Sequence, residues 1–258
     1  MIPPIRHSLF GIPLDSLTLD EVLEYMQKRQ TDSAPFMHVV SINPETVMIA
    51  RHNKTLFSIY QNADLALADG IGILWAARLC KIPMYERVSG SVLLPRLLDL
   101  AGRMRSRVVL IGSQANLADS IAKCYSRSYP EATFVGTFGY ANVARPTPQE
   151  EQALAAIVAA TRPRFVFVAF GTPAQEIWIN THKDMLQGAI CMGVGGSFDY
   201  LSGSKRRPPA FIRRTGFEWL YRLIREPGRI GRQTTRLPAF VLLVIHEWIR
   251  CIIRPQNG

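Results

Sequence analysis

The feature that most limits the fold is a rhythm. Short runs rich in Val, Ile, Leu, Phe and Ala recur at 36–42, 64–68, 107–112, 133–137, 164–170 and 189–194. Amphipathic stretches of helical period separate them, at 44–53, 71–79, 91–104, 116–126, 148–161 and 173–183. Runs this apolar are buried on both faces, which calls for a parallel sheet with helices on each side. The expected architecture is therefore α/β, a Rossmann-like parallel sheet. Sheets of this kind bind ligands beyond the C-terminal ends of their strands, so the loops after the runs are where chemistry is to be sought. Before the first run, residues 8–17 with Gly11-Ile12-Pro13 suggest an edge strand or hairpin. Thr18 followed by Glu21 fits a capping box opening a helix to about residue 30.

Charge divides the chain. Of a net charge of +10, residues 204–258 carry +9, from twelve basic and three acidic side chains. The division expected is an α/β domain over 1–203 and a basic helical appendage over 204–258, with Lys205-Arg206-Arg207-Pro208-Pro209 at the junction. Two helices are expected in the appendage, 216–225 and 237–253, with a turn at Pro227-Gly228. The second is apolar around most of its circumference, so it either packs on the core or lies in a membrane interface. No apolar run approaches the roughly 20 residues that span a bilayer. An excess of basic residues points to an anionic partner: nucleic acid, an acidic membrane surface or a phosphorylated substrate. With 48% hydrophobic and 19% charged residues, the composition excludes a disordered chain. Cys80, Cys124, Cys191 and Cys251 form no CxxC pair or zinc spacing. They read as reduced thiols and, with no secretory signal at the start, as a cytosolic location.

Several loops carry candidate site residues. Ser41-Ile42-Asn43-Pro44 leads from a run into a helix, so Ser41 or Asn43 either caps that helix or turns a polar group to a ligand. Asp69 ends a run just before Gly70, which suits a base facing a cleft, a metal ligand or a cap. Arg87 precedes Ser89-Gly90-Ser91, where a helix start and a guanidinium together favour an anion. Gly112 and the pair Gly139-Tyr140 offer a backbone approach and a stacking ring, although a core tyrosine is an equal reading. Gly171, Gln175 and Glu176 mark the next strand end, and Gly195, Phe198 and Asp199 the last. Glycines there permit close backbone approach; Gln175 suits a sugar hydroxyl or base amide, and Asp199 a nucleobase N–H. The chain has no GxGxxG, no GxxxxGK[ST] and no Asp-x-Asp. Those absences argue against a dinucleotide enzyme, a P-loop NTPase and a carboxylate-held metal on a nucleotide diphosphate.

Taken in order, Asn43-Pro44-Glu45, Ala68-Asp69-Gly70-Ile71-Gly72, Arg87-Val88-Ser89-Gly90-Ser91, 170–176, 193–199, 205–209 and 218–227 resemble the WecG/TagA/CpsF glycosyltransferases. The resemblance covers residues 8 to 235. It implies a bacterial, inverting, metal-independent enzyme that takes a UDP-sugar donor. Its acceptor is a sugar on a polyprenyl diphosphate, met as a peripheral protein at the cytoplasmic face of the inner membrane. By carry-over, Asp69 is the general base, Arg87 and Gln175 act at the reacting centre, and Asn43 and Asp199 contact the nucleotide. Ser41 stands where relatives often have threonine. Arg222, Arg229 and Arg232 occupy the arginine-rich stretch of an appendage that closes over the site and meets an anionic membrane surface.

Ser41 and the extended tail depart from the N-acetylmannosamine branches, which leans the donor toward UDP-glucose in exopolysaccharide synthesis. The alternative is a UDP-N-acetylmannosamine transferase of teichoic acid or common-antigen type. A nucleic-acid-binding protein is the competing class, but no helix-turn-helix, RRM or zinc-finger pattern supports one. No cofactor and no nucleic acid partner are expected, and a homo-oligomer is left open.

Overall fold

The computed structural model describes residues 4–29, 35–112, 114, 116–206, 208–209, 212, 220–221 and 230–253, with the backbone alone for 230–235 and 253. The expected runs become β3 (Met37–Ile42), β4 (Leu65–Ala68), β5 (Arg107–Gly112), β6 (Thr133–Thr137), β7 (Phe165–Ala169) and β8 (Ile190–Gly193). They form one sheet in the order β4-β3-β8-β7-β5-β6, and every pairing is parallel. Alternation along the strands feeds two sides. Val39, Leu67, Leu110, Phe167 and Met192 face one core, with α1 (Leu19–Lys28), α5 (Gly90–Arg103), α6 (Leu117–Ser128) and α9 (Ser197–Leu201) over it. Val40, Ala66, Val109, Val168 and Cys191 face the other side. That side is covered by α2 (Pro44–Arg51), α3 (Lys54–Gln61), α4 (Ile71–Leu79), α7 (Pro148–Thr161) and α8 (Ala174–Thr181).

The N-terminal hairpin is β1 (Ile5–Leu9) and β2 (Ile12–Ser16). It guards the edge strand, an exposed template for unwanted pairing. Asp15, 1% exposed, accepts from the Ala66 N–H at 2.7 Å and pairs with Arg6 at 2.8 Å. Thr18 and Glu21 form the expected capping box of α1.

The expected helix over 44–53 is shorter and is followed by another. It ends at Arg51, and Asn53 caps α3 by accepting from the Leu56 N–H at 2.9 Å. The periodicity hid this break, because apolar side chains continue through both helices. In the appendage, α10 (Ile230–Ile253) begins earlier than the expected 237. Phe240 and Leu243 are buried against α2, α4 and the hairpin, so this helix packs on the core along one face. Leu242, Ile245, Ile249 and Ile252 on the remaining faces are exposed. Among the described residues no helix is long and apolar enough to cross a membrane. The expected helix over 216–225 and the turn at Pro227-Gly228 lie outside the described residues, apart from 220–221.

Candidate active site

Because the strands are parallel, their C-terminal ends share one edge. In lateral order that edge carries Asp69 after β4, Asn43 after β3, Gly195 after β8 and Gly171 after β7. Three inter-strand spacings put about 14 Å between the outer two.

Asp69 is held from two sides. Its N–H donates to the Ile42 carbonyl at 2.8 Å, which extends the ladder by one residue. The chain then makes α4 and returns, and the Val88 N–H donates to the Ala68 carbonyl at 3.0 Å. This return puts the first turn of α5 beside Asp69, where the Gly90 N–H reaches Oδ2 at 3.4 Å. Ser89, the residue before α5, gives no side-chain cap; its hydroxyl pairs with that of Ser91 at 3.2 Å. A Cβ on Gly90 would lie 3.7 Å from Ser197 Oγ and 3.9 Å from Asp69 Oδ2. A carboxylate, a hydroxyl and a helix N-terminus from three separate loops therefore meet at one point. Arg87 sits half-buried near the end of the same return.

Gln175 holds two loops together. It is buried, and its Oε1 accepts from the Gly171 N–H at 3.0 Å and the Gly195 N–H at 3.1 Å. Its Nε2 donates to Glu176 Oε1 at 2.9 Å. A Cβ on Gly193 would fall 2.4 Å from that nitrogen, so only glycine admits the amide. Gln175 thus fixes the geometry of the edge from behind it. Gly171, in contrast, looks outward: a Cβ there meets nothing within 4 Å.

Asn43 caps α2, accepting from the Thr46 N–H at 3.0 Å while its own N–H donates to Thr46 Oγ1 at 2.9 Å. The Ser41 hydroxyl is buried without a hydrogen-bond partner. Asp199 pairs with Lys205 at 2.9 Å, and its carbonyl accepts from the Lys205 N–H at 3.0 Å. That pair ties the beginning of the basic segment to α9.

Three expectations need correction. Tyr140 is 3% exposed and stacks on Phe170, and its hydroxyl donates to Glu151 at 2.6 Å while accepting from Trp178 Nε1 at 2.7 Å. Burial on this scale leaves no ring face for a ligand. Phe198 is 0% exposed and belongs to the core under α9, not to the cleft. Gly112 is not an open cradle either, since a Cβ there would strike the Phe170 ring at 2.8 Å. Its missing side chain makes room for that ring. Arg222 and Arg229 lie outside the described residues; Arg232 lies on α10, and its side chain is not described.

Two features at the site escape a reading of the sequence. Arg236 on α10 donates to Glu45 in the first turn of α2 at 2.9 Å, across 191 residues of sequence. Glu176 is 3% exposed, and burial pushes its carboxyl up to about 7 against the lowering effect of donors from Gln175, the backbone and Thr172. Its Oε2 has no hydrogen-bond partner. Nothing in Pro173-Ala174-Gln175-Glu176 distinguishes this buried acid from an ordinary first-turn glutamate. Among the described residues no three His, Cys, Asp or Glu side chains are grouped to hold a metal ion. A groove lined by Met48, Ile49, His52, Asn53, Arg236 and Ala239 runs between α2 and α10, away from the strand ends.

Comparison with known proteins supplies a context for this edge. The profile of the glycosyl transferase WecG/TagA/CpsF family matches residues 7–252. A Bacillus subtilis (strain 168) protein named N-acetylglucosaminyldiphosphoundecaprenol N-acetyl-beta-D-mannosaminyltransferase is 29% identical over 241 residues, covering 93% of this chain and 91% of its own. A Staphylococcus aureus (strain MW2) protein of the same name is 28% identical over 234 residues, covering 90% and 89%.

Proposed function

From a chain that belongs to the WecG/TagA/CpsF glycosyltransferase family, we propose an enzyme that transfers N-acetylmannosamine from its UDP conjugate to N-acetylglucosaminyl-diphosphoundecaprenol. The acceptor and the sugar follow the names of the relatives. Those names favour the N-acetylmannosamine alternative, of teichoic acid or common-antigen type, over the glucose donor to which Ser41 and the tail lean. The tail gives that lean no support, since the family profile extends to residue 252.

The observation that carries the mechanism is the convergence of Asp69, the α5 N-terminus and Ser197 at the strand ends. In this reading the acceptor hydroxyl oxygen attacks C1 of the donor sugar, and its proton passes to the Asp69 carboxylate. The bond from C1 to the UDP oxygen breaks as the new bond forms on the opposite face, so the anomeric configuration inverts. Arg87 balances the charge that grows on departing UDP, with Arg222, Arg229 and Arg232 of the basic appendage assigned the same role, and no metal ion is required. The Gln175 amide keeps the loops at Gly171 and Gly195 in register for the donor. The enzyme works as a peripheral protein on the cytoplasmic face of the membrane, drawn there by the basic segment and by Trp248 on α10.

The test supplies UDP-N-acetylmannosamine and UDP-glucose separately, with the lipid-linked acceptor and a chelator present. Acceptor-dependent UDP release from the first donor alone is expected. Release from UDP-glucose alone would return the donor to the exopolysaccharide type, and a strict metal requirement would overturn the charge-balance scheme.

A further inference from the structure

The basic appendage is not the only part of the molecule with an unusual surface. Trp75 and Leu79 on α4 are 50% and 49% exposed, and Tyr85 in the following turn is also exposed. Arg78 and Lys81 lie exposed among them, and α4 contains no acidic residue. Large apolar side chains interleaved with cations on one helix form an unusual surface for a water-soluble face.

This patch continues onto α10. A Cβ on Gly72 would sit 3.3 Å from the Phe240 ring, and at the other end Cys251 of α10 lies beside Cys80. The two helices therefore run side by side in the same direction. Trp75 and Leu79 follow Gly72 at i+3 and i+7, on the exposed side of α4 next to the face that meets α10. On α10, at about 100° per residue, Val244, Trp248, Val241, Ile252, Ile245 and Ile249 make a continuous apolar arc beside the buried row of Phe240 and Leu243. Trp248, Val241, Ile252, Ile245 and Ile249 in that arc are exposed.

We propose that α4 and its following turn form a second membrane-docking element, which joins with α10 to seat the α/β domain itself on an anionic bilayer. The occupant follows from charge complementarity. Arg78 and Lys81 stand within the apolar patch, and residues 204–258 add a net +9. Two copies of this surface brought together would set like charges against each other. Tryptophan and tyrosine with a ring of cations suit the headgroup boundary. The placement has a consequence for the site, which rests on the reading that the acceptor is lipid-linked. The segment that carries the patch begins at Asp69 and ends at Arg87. Docking through it would present the cleft to a diphosphate at the membrane surface.

The experiment uses the full chain and a double variant, Trp75→Ser with Leu79→Ser. Flotation is measured with phosphatidylglycerol/phosphatidylcholine vesicles and with phosphatidylcholine alone. The native chain should prefer the anionic vesicles, and the variant should bind them about tenfold more weakly or worse. It should still unfold cooperatively, with a modestly lower melting temperature, and its turnover of an acceptor bearing a short alkyl tail should stay unchanged. Trp248→Ser, on the α10 side of the same surface, should also weaken flotation. If the double variant floats like the native chain, α4 is not part of the docking surface. If the native chain is a lipid-free dimer that the variant dissolves, and it ignores vesicles, the face is a contact between copies and the proposal is wrong. Flotation needs no sugar nucleotide, so a failure of the transferase reading leaves this result standing, and the converse also holds.

Discussion

Replacing Gln175 by Leu separates two roles for one residue. Leucine is close to glutamine in volume but accepts no hydrogen bond. The variant loses the acceptor shared by the Gly171 and Gly195 N–H groups, held at 3.0 and 3.1 Å. It also loses the donor to Glu176 at 2.9 Å. Both glycines are partly exposed, so water can reach their amides and the cost stays near the net value of the bonds. At roughly 0.5–1.5 kcal/mol each, the three bonds give about 1.5–4.5 kcal/mol. For a chain of this size that lowers the melting temperature by roughly 2–4 °C per kcal/mol, or about 4–8 °C for 2 kcal/mol. Differential scanning calorimetry reads the stability, and the UDP-release assay reads the turnover. A brace predicts that both fall together, with kcat/KM reduced as the two loops lose register. Gly193→Ala should mimic the variant, since its Cβ would lie 2.4 Å from the Gln175 amide nitrogen. If Gln175→Leu melts within 1 °C of the native chain yet loses turnover, the amide touches substrate and the brace argument is wrong.

Other outcomes follow from the same geometry. Asp69→Asn keeps the size of the side chain but removes the proton acceptor, so turnover should fall by about 10²-fold or more while UDP binding by calorimetry is retained; undiminished turnover would remove Asp69 as the base. Glu176 carries the signature of an acid that is protonated on folding, with a carboxyl raised from 4.5 to about 7 by burial. Its stabilising contribution is fully present below pH 4.5 and is lost as pH rises through 7, at most about 3 kcal/mol. The urea midpoint of the native chain should therefore fall between pH 5 and pH 8 relative to that of Glu176→Gln, and parallel profiles would refute the assignment. Arg236→Ala removes the tie between α10 and Glu45, a half-exposed pair at 2.9 Å. Its global stability should change by less than about 1 kcal/mol, while hydrogen exchange along α10 should quicken.

The sheet was legible because its strands are buried on both faces, and burial of that kind leaves an unbroken apolar run in the sequence. The positions of Asp69, Asn43, Gly171 and Gly195 followed from the same rule, since a parallel sheet brings all its strand ends to one edge. What those side chains do there was not legible. Tyr140 and Gln175 both follow strand ends in motifs of small residues, and both look available to a ligand in one dimension. The structure turns each inward, because Phe170 fills the space left by Gly112 and Gly139, and the missing side chain of Gly193 admits the amide of Gln175. A glycine at a strand end thus carries two messages that sequence does not separate. It either leaves open space beside the backbone, as at Gly171, or lets another part of the protein close the gap. The same ambiguity holds for α10, whose apolar circumference is consistent with a core or with a membrane. Phe240 and Leu243 go to the core and Leu242, Ile245 and Ile249 do not, so one helix serves as wall and as surface. A deletion of residues 204–258 would strip the cover from α2 and α4 along with the basic charge. Its effect on membrane binding would mix unfolding with lost attraction, and for that reason single exposed side chains such as Trp75 and Trp248 give the cleaner experiment.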